Sequence, residues 1–143
     1  MKKTFSLLET ILVIVIISIL IAYFIPKAKK SLNFANSSQI KSELALIRNG
    51  ILKKITKNRL LGEDITFNLD EESVQAQNSK LFSNILDFPL LSTNLSKKEI
   101  GRWIKISKNR YRIYFSQEGF LDYSYGNGVF KCLSDKELCE KYE

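Results

Sequence analysis

The chain contains no histidine among its 143 residues. That absence removes the commonest general base, the commonest zinc ligand and every Ser-His or Cys-His nucleophile pair. An exported enzyme built on this sequence would have to work with carboxylates alone, and none stand at catalytic spacing. The expectation is therefore a protein that is not an enzyme and carries no cofactor or metal. Cysteine is almost as scarce, with only Cys132 and Cys139, both near the C-terminus. Without histidine to complete a tetrahedral site, the pair reads as a disulfide closing the loop CLSDKELC rather than as metal ligands. A disulfide in turn implies an oxidising compartment. Acidic residues are in deficit, 15 against 22 Lys and Arg, for a formal charge of +7. That excess permits acidic partners such as nucleic acid or lipid head groups and specifies none of them.

Much of the 45% hydrophobic composition is concentrated in one run, so the remainder can form only one modest core. From Phe5 to Ile25 the chain reads FSLLETILVIVIISILIAYFI. As a helix this run rises about 31 Å at ~1.5 Å per residue, the thickness of a bilayer's hydrocarbon core. Ser6, Thr10 and Ser18 can return their hydroxyls to carbonyls one turn back. A cleavable secretory signal is disfavoured: no small-x-small site follows, and PKAKKS continues the segment as a basic stop-transfer flank. Glu9 is the one acidic residue in the run. A carboxylate in hydrocarbon costs several kcal/mol unless it is neutralised or paired. Two readings stand. Glu9 sits at the head-group level or is protonated, without function, or it meets an amine: a cut before Phe5 would expose an α-amino group one turn away on the same face.

The segment KKTFSLLETILVIVIISILIAYFIPK resembles the N-terminus of the type IV pilin and pseudopilin superfamily: a short basic leader, a phenylalanine, a glutamate four residues later and a long apolar helix. By that resemblance residues 1–4 form a cytoplasmic leader, and a prepilin peptidase cuts between Thr4 and Phe5. The new Phe5 amine is methylated, and Glu9 pairs with the Phe5 amine of a neighbouring subunit during assembly. Losing Lys2 and Lys3 would lower the charge from +7 to +5. Pro26 falls where many members place a helix-bending proline, and its missing N–H supplies a reason for a kink. The residue before the cut is normally glycine in this family and is Thr4 here. The resemblance implies residence in the inner membrane with the C-terminal domain outside the cytoplasm, then in a filament. Its implied partners are other pilin-like subunits, the peptidase, an inner-membrane assembly platform and membrane lipid.

Beyond Pro26, apolar residues recur at Ala28, Leu32 and Ala35, then at Ile40, Leu44, Ile47, Ile51 and Ile55, a stripe at helical spacing. The helix is expected to reach about Leu61, with Gly50 weakening it and Gly62 stopping it. Residues 63–100 form a variable connection holding a short strand or two. Within it Asp70, Glu71 and Glu72 read as a solvated loop, since no metal-ligand or catalytic spacing accompanies them.

The strongest strand signal starts at Gly101, where RWIKIS and RYRIYFS flank Lys108 and Asn109. A two-residue loop would set Ile106 opposite Tyr111 and Ile104 opposite Ile113, facing the helix. Trp103, Lys105, Arg110, Arg112 and Tyr114 would then share the outer face. That face reads either as a solvated basic surface or as a nucleic-acid platform with DNA as partner. Strands near Phe120 to Tyr125 and Val129 to Leu133, joined by Gly126-Asn127-Gly128, complete an antiparallel meander. Asp122, Asn127 and Asp135 are three scattered oxygen donors, a weak signal for calcium.

The fold expected is α+β: a long membrane-spanning helix, 5–26, continued by an amphipathic half, 27–62, then the connection, then a small sheet with its disulfide loop at 101–143. The function expected is a structural subunit of a type IV pilus, type II secretion pseudopilus or competence pseudopilus. The alternative is a single-span anchored periplasmic binding domain that does not polymerise and contacts a ligand such as DNA.

Overall fold

The computed structural model describes residues 7–143 and, at residues 28–35, the backbone alone. Thr4 and Phe5 lie outside the described residues, as do the side chains of Ala28, Leu32 and Ala35. Helix α1 covers Leu7–Leu61, and the chain divides into two compact units, Met1–Ala35 and Asn36–Glu143. The class is α+β. In the first unit α1 is apolar from Leu7 to Ile25, with Pro26 inside it.

In the second unit α1 buries the stripe Ile40, Leu44, Ile47 and Ile51, with Ile55 partly covered below them. Each such side chain contributes roughly 1.5–3 kcal/mol on burial. Gly50 has a packing reason for its place in the helix: a Cβ there would lie 2.7 Å from the Ile85 carbonyl oxygen. The helix ends at Gly62 (φ 69°), where Glu63 N–H donates to the Asn58 carbonyl and Gly62 N–H to that of Arg59. This pair of bonds is a Schellman motif, which needs a left-handed residue that glycine adopts without strain.

The stripe packs on a four-stranded antiparallel meander in the order β3-β4-β5-β6. Its strands are β3 (Trp103–Ser107), β4 (Arg110–Tyr114), β5 (Phe120–Gly126) and β6 (Val129–Cys132). A smaller pair, β1 (Lys80–Leu81) and β2 (Leu90–Leu91), forms within the connecting region. The β5–β6 turn carries Asn127 and Gly128 at φ 51° and 76°, the positive values of the two-residue turn that matches strand twist.

The register of the β3–β4 hairpin differs from the expected one. Trp103 pairs with Ile113, Ile104 with Arg112 and Lys105 with Tyr111, because a bulge interrupts the ladder between Lys105 and Ser107. One extra residue exchanges the two faces of everything before it. Trp103 and Lys105 consequently turn toward the helix, in line with Tyr111, Ile113, Leu121, Tyr123 and Phe130. The shift puts the indole inward, where it is 1% exposed and donates Nε1–H to Glu43 Oε2 at 2.8 Å.

The connection 63–100 is tied down more firmly than a solvated loop. Leu69, Leu81 and Phe82 belong to the core, and the Phe82 ring meets Tyr111, Trp103 and Phe130 at centroid distances of 4.7, 5.6 and 6.0 Å. Phe82 adopts φ 62°, a strained conformation for a bulky residue. The connection also occupies the outer edge of β3. Gln75 N–H donates to the Lys105 carbonyl and Thr93 N–H to that of Trp103. That edge is therefore not open to another strand.

Candidate functional site

The apolar half of α1, taken by itself, presents a surface with no counterpart elsewhere in the described residues. Between Leu7 and Ile25 its large side chains are each 43–77% exposed, and none of the span Leu7–Lys27 is buried inside the protein. The helix is long and apolar enough to cross a membrane. Ser18 returns its hydroxyl to the Ile14 carbonyl at 2.7 Å, so that polar group is satisfied within the helix. At the far end Lys27 Nζ donates to Tyr23 Oη at 2.6 Å and lies 4.3 Å from the Tyr23 ring centroid. An amphipathic pair of this kind suits the boundary between hydrocarbon and water. Glu9 stands in the first turn, exposed and without an ion-pair partner among the described residues. Pro26 lies within the helix and cannot donate to the carbonyl one turn back.

At the opposite end of the sequence, Cys132 and Cys139 form a disulfide with Cα atoms 6.0 Å apart. The enclosed residues are not a plain loop. A short helix, α2 (Lys136–Tyr142), follows Asp135, and the disulfide fastens it to the end of β6. Tyr142 stacks on Phe115 at 5.0 Å, and Arg48 of α1 bonds the Glu143 carboxylate. Three attachments thus hold the last turn against the sheet and helix.

The five residues expected to form one basic and aromatic face are not assembled into one. Trp103 and Lys105 are buried on the inner face, the consequence of the bulge. Arg112 is on the outer face but its guanidinium is engaged twice, Nε to Asp122 Oδ1 at 2.7 Å and Nη2 to Asp122 Oδ2 at 2.8 Å. It also covers the Phe120 ring at 3.6 Å. The Asp122 bonds hold Arg112 protonated more firmly than usual, against the opposing effect of its partial burial. Tyr114 is buried, 5.8 Å from Phe120, leaving Arg110 as the one exposed member. These five residues therefore present no open aromatic platform for bases to stack on.

The engaged Asp122 carboxylate also removes the main donor of the calcium set considered with Asn127 and Asp135. Asn127 serves the β5–β6 turn and Asp135 precedes α2. Among the described residues no three Asp, Glu, His or Cys side chains gather as metal ligands would.

Asp70 requires a correction. Expected in a solvated acidic loop, it is 1% exposed and forms the most densely bonded polar centre of the domain. Its Oδ1 accepts from Lys105 Nζ at 2.6 Å and from Glu72 N at 3.2 Å, and its Oδ2 accepts from Tyr111 Oη at 2.9 Å and Phe82 N at 3.2 Å. Lys105 Nζ further donates to the Glu72 carbonyl at 2.9 Å. A buried ion pair with every remaining lone pair answered is tolerable where a bare charge is not. The neutral Tyr111 phenol is strongly favoured, first by burial and then by the Asp70 charge beside it. Glu71 stays exposed, as expected of the stretch, and Glu72 accepts from Lys80 N–H. No sequence signal distinguishes Asp70 from its two acidic neighbours; only the bulge that turns Lys105 inward does.

On α1 the half-buried Glu43 has its carboxyl pushed up by burial, opposed by hydrogen bonds from Gln39 and Trp103. These centres fix the sheet to the helix and the connection to the sheet; none is placed as an acid and base pair flanking an open cavity. Compared with known proteins, the chain matches no family model, no curated protein and no solved structure.

Proposed function

We propose that the chain is a pilin-like structural subunit, stored in a membrane by the apolar half of α1 and assembled through that half into a filament. The observation that carries this reading is the span Leu7–Lys27, wholly unburied by its own protein, with one carboxylate, Glu9, in its first turn. An apolar helix that its own domain leaves bare requires lipid or other copies as its surroundings. A carboxylate at that depth favours an arrangement that brings it a cation. Stacked copies provide one, since each processed chain carries an α-amino group at Phe5. Glu9 then selects axial register, because only an aligned neighbour neutralises it.

The second unit suits the same role. It is a small α+β domain with its C-terminal turn fastened by a disulfide, as an oxidising compartment allows. In this reading its partners are other pilin-like subunits, a prepilin peptidase and an assembly platform of the inner membrane.

Intact mass and N-terminal sequencing of the protein extracted from membranes test the processing step. The expected product begins at methylated Phe5, with Lys2 and Lys3 gone. A product retaining Met1, or one beginning beyond Pro26, would point instead to an unprocessed tether or a removed signal.

A further inference from the structure

We infer that the cleft between the end of α1 and the two tight turns of the sheet binds an acidic sugar. The cleft has a volume of about 570 Å³, within the range of small-ligand sites, and lies wholly in the second unit. Arg59 from the last turn of α1 and Lys108 from the β3–β4 turn stand on its walls. Both are exposed, neither has a side-chain hydrogen bond or ion pair among the described residues, and no acidic residue lines the cleft.

A second observation points independently to a ligand. Tyr125 is 7% exposed and lines the cleft, yet its hydroxyl has no hydrogen-bond partner among the described residues. The hydroxyl is open to the cleft, so it can donate to and accept from a bound group. The Phe67 ring centroid lies 5.7 Å from that of Tyr125, and Asn109 and Asn127 also line the cleft. Gly128, at φ 76°, lets this turn approach Ile55 of α1 at the floor of the cleft.

The combination selects among anions. A sugar acid offers a carboxylate to Arg59 and Lys108, hydroxyls to the two amides and the phenol, and a C–H face to Phe67. A nucleic-acid strand needs open aromatic faces along a basic groove, and Tyr125 has little face to offer.

The test uses the full chain in detergent micelles, titrated calorimetrically with short oligogalacturonates. Saturable binding is expected, weakened about tenfold or more by Arg59→Gln combined with Lys108→Gln and several-fold by Tyr125→Phe. A neutral maltooligosaccharide of equal length should bind at least about tenfold more weakly. Unchanged melting of the variants, followed at buried Trp103, shows that the fold persists. The inference is overturned by absence of saturable binding, by equal affinity in the double variant, or by equal affinity for the neutral sugar. Tighter binding of a single-stranded oligonucleotide of matching charge would also overturn it and assign the cleft to nucleic acid. None of these outcomes depends on whether the chain polymerises.

Discussion

Tyr123 shows how finely single groups are set in this core. Its ring stacks on Phe130 at 5.2 Å with planes 2° apart, while its buried hydroxyl has no partner among the described residues. A buried unsatisfied hydroxyl costs about 1–3 kcal/mol. Tyr123→Phe is therefore expected to raise stability by about 1 kcal/mol, measured by denaturant unfolding at Trp103, the one tryptophan in the chain. The same variant has a signature at high pH. Burial, then the Glu143 charge, push the Tyr123 phenol up to about 12 from 10.0. A group raised in the folded state contributes stability that is complete below its unfolded value and lost as pH rises through its folded one. Stability should thus fall from about pH 10 to about pH 12, and Tyr123→Phe should flatten part of that fall. Tyr111, raised as well, would continue to contribute to it.

The Asp70 centre makes the opposite prediction. Asp70→Ala strands Lys105 as a buried unpaired charge and should cost about 3–5 kcal/mol. Combining it with Lys105→Met should recover a large part of that loss, a coupling read from a double-mutant cycle on the same unfolding signal. Simple additivity of the two changes would contradict the ion pair.

At the scale of elements, the long helix and the four-strand meander were legible in the sequence because each carries its own period. The stripe from Ile40 to Ile55 repeats at three and four, and RWIKIS and RYRIYFS alternate at two. Gly62 and the Asn127-Gly128 turn were legible through backbone chemistry that few other residues provide. The hairpin register was not, because a bulge leaves alternation intact on both sides and shifts only their relation. That single residue turned Trp103 and Lys105 inward, while the Asp122 pairing of Arg112 and the burial of Tyr114 leave Arg110 the one exposed member of the five. Helix α2 was missed for a different reason. Seven residues are too short to announce a helix by propensity, and tertiary attachments hold this one. The disulfide should contribute about 2.5 kcal/mol by loop-closure entropy. Reduction, or Cys132→Ser with Cys139→Ser, is expected to lower stability by about that amount. Amide exchange should rise first in α2, and uniform loss of protection across the sheet would show the staple to be less local than its geometry.

For the whole molecule, the division at Ala35 and Asn36 separates two kinds of stability. The second unit has its own core, its own helix cap and a covered edge at β3, so its stability comes from contacts within itself. The first unit contributes a bare apolar surface and a lone carboxylate, which only surroundings can satisfy. The apolar run was fully legible in the sequence; what covers it, lipid or other copies, is a property of its surroundings, beyond what one chain's periodicity encodes. The most direct measurement is cross-linking and shear release of filaments from cells expressing Glu9→Ala beside the unaltered chain, with membrane content measured in parallel. The account predicts equal amounts in the membrane and a loss of about tenfold or more in the assembled fraction, consistent with several kcal/mol for an unneutralised site. Equal assembly of both chains would contradict it.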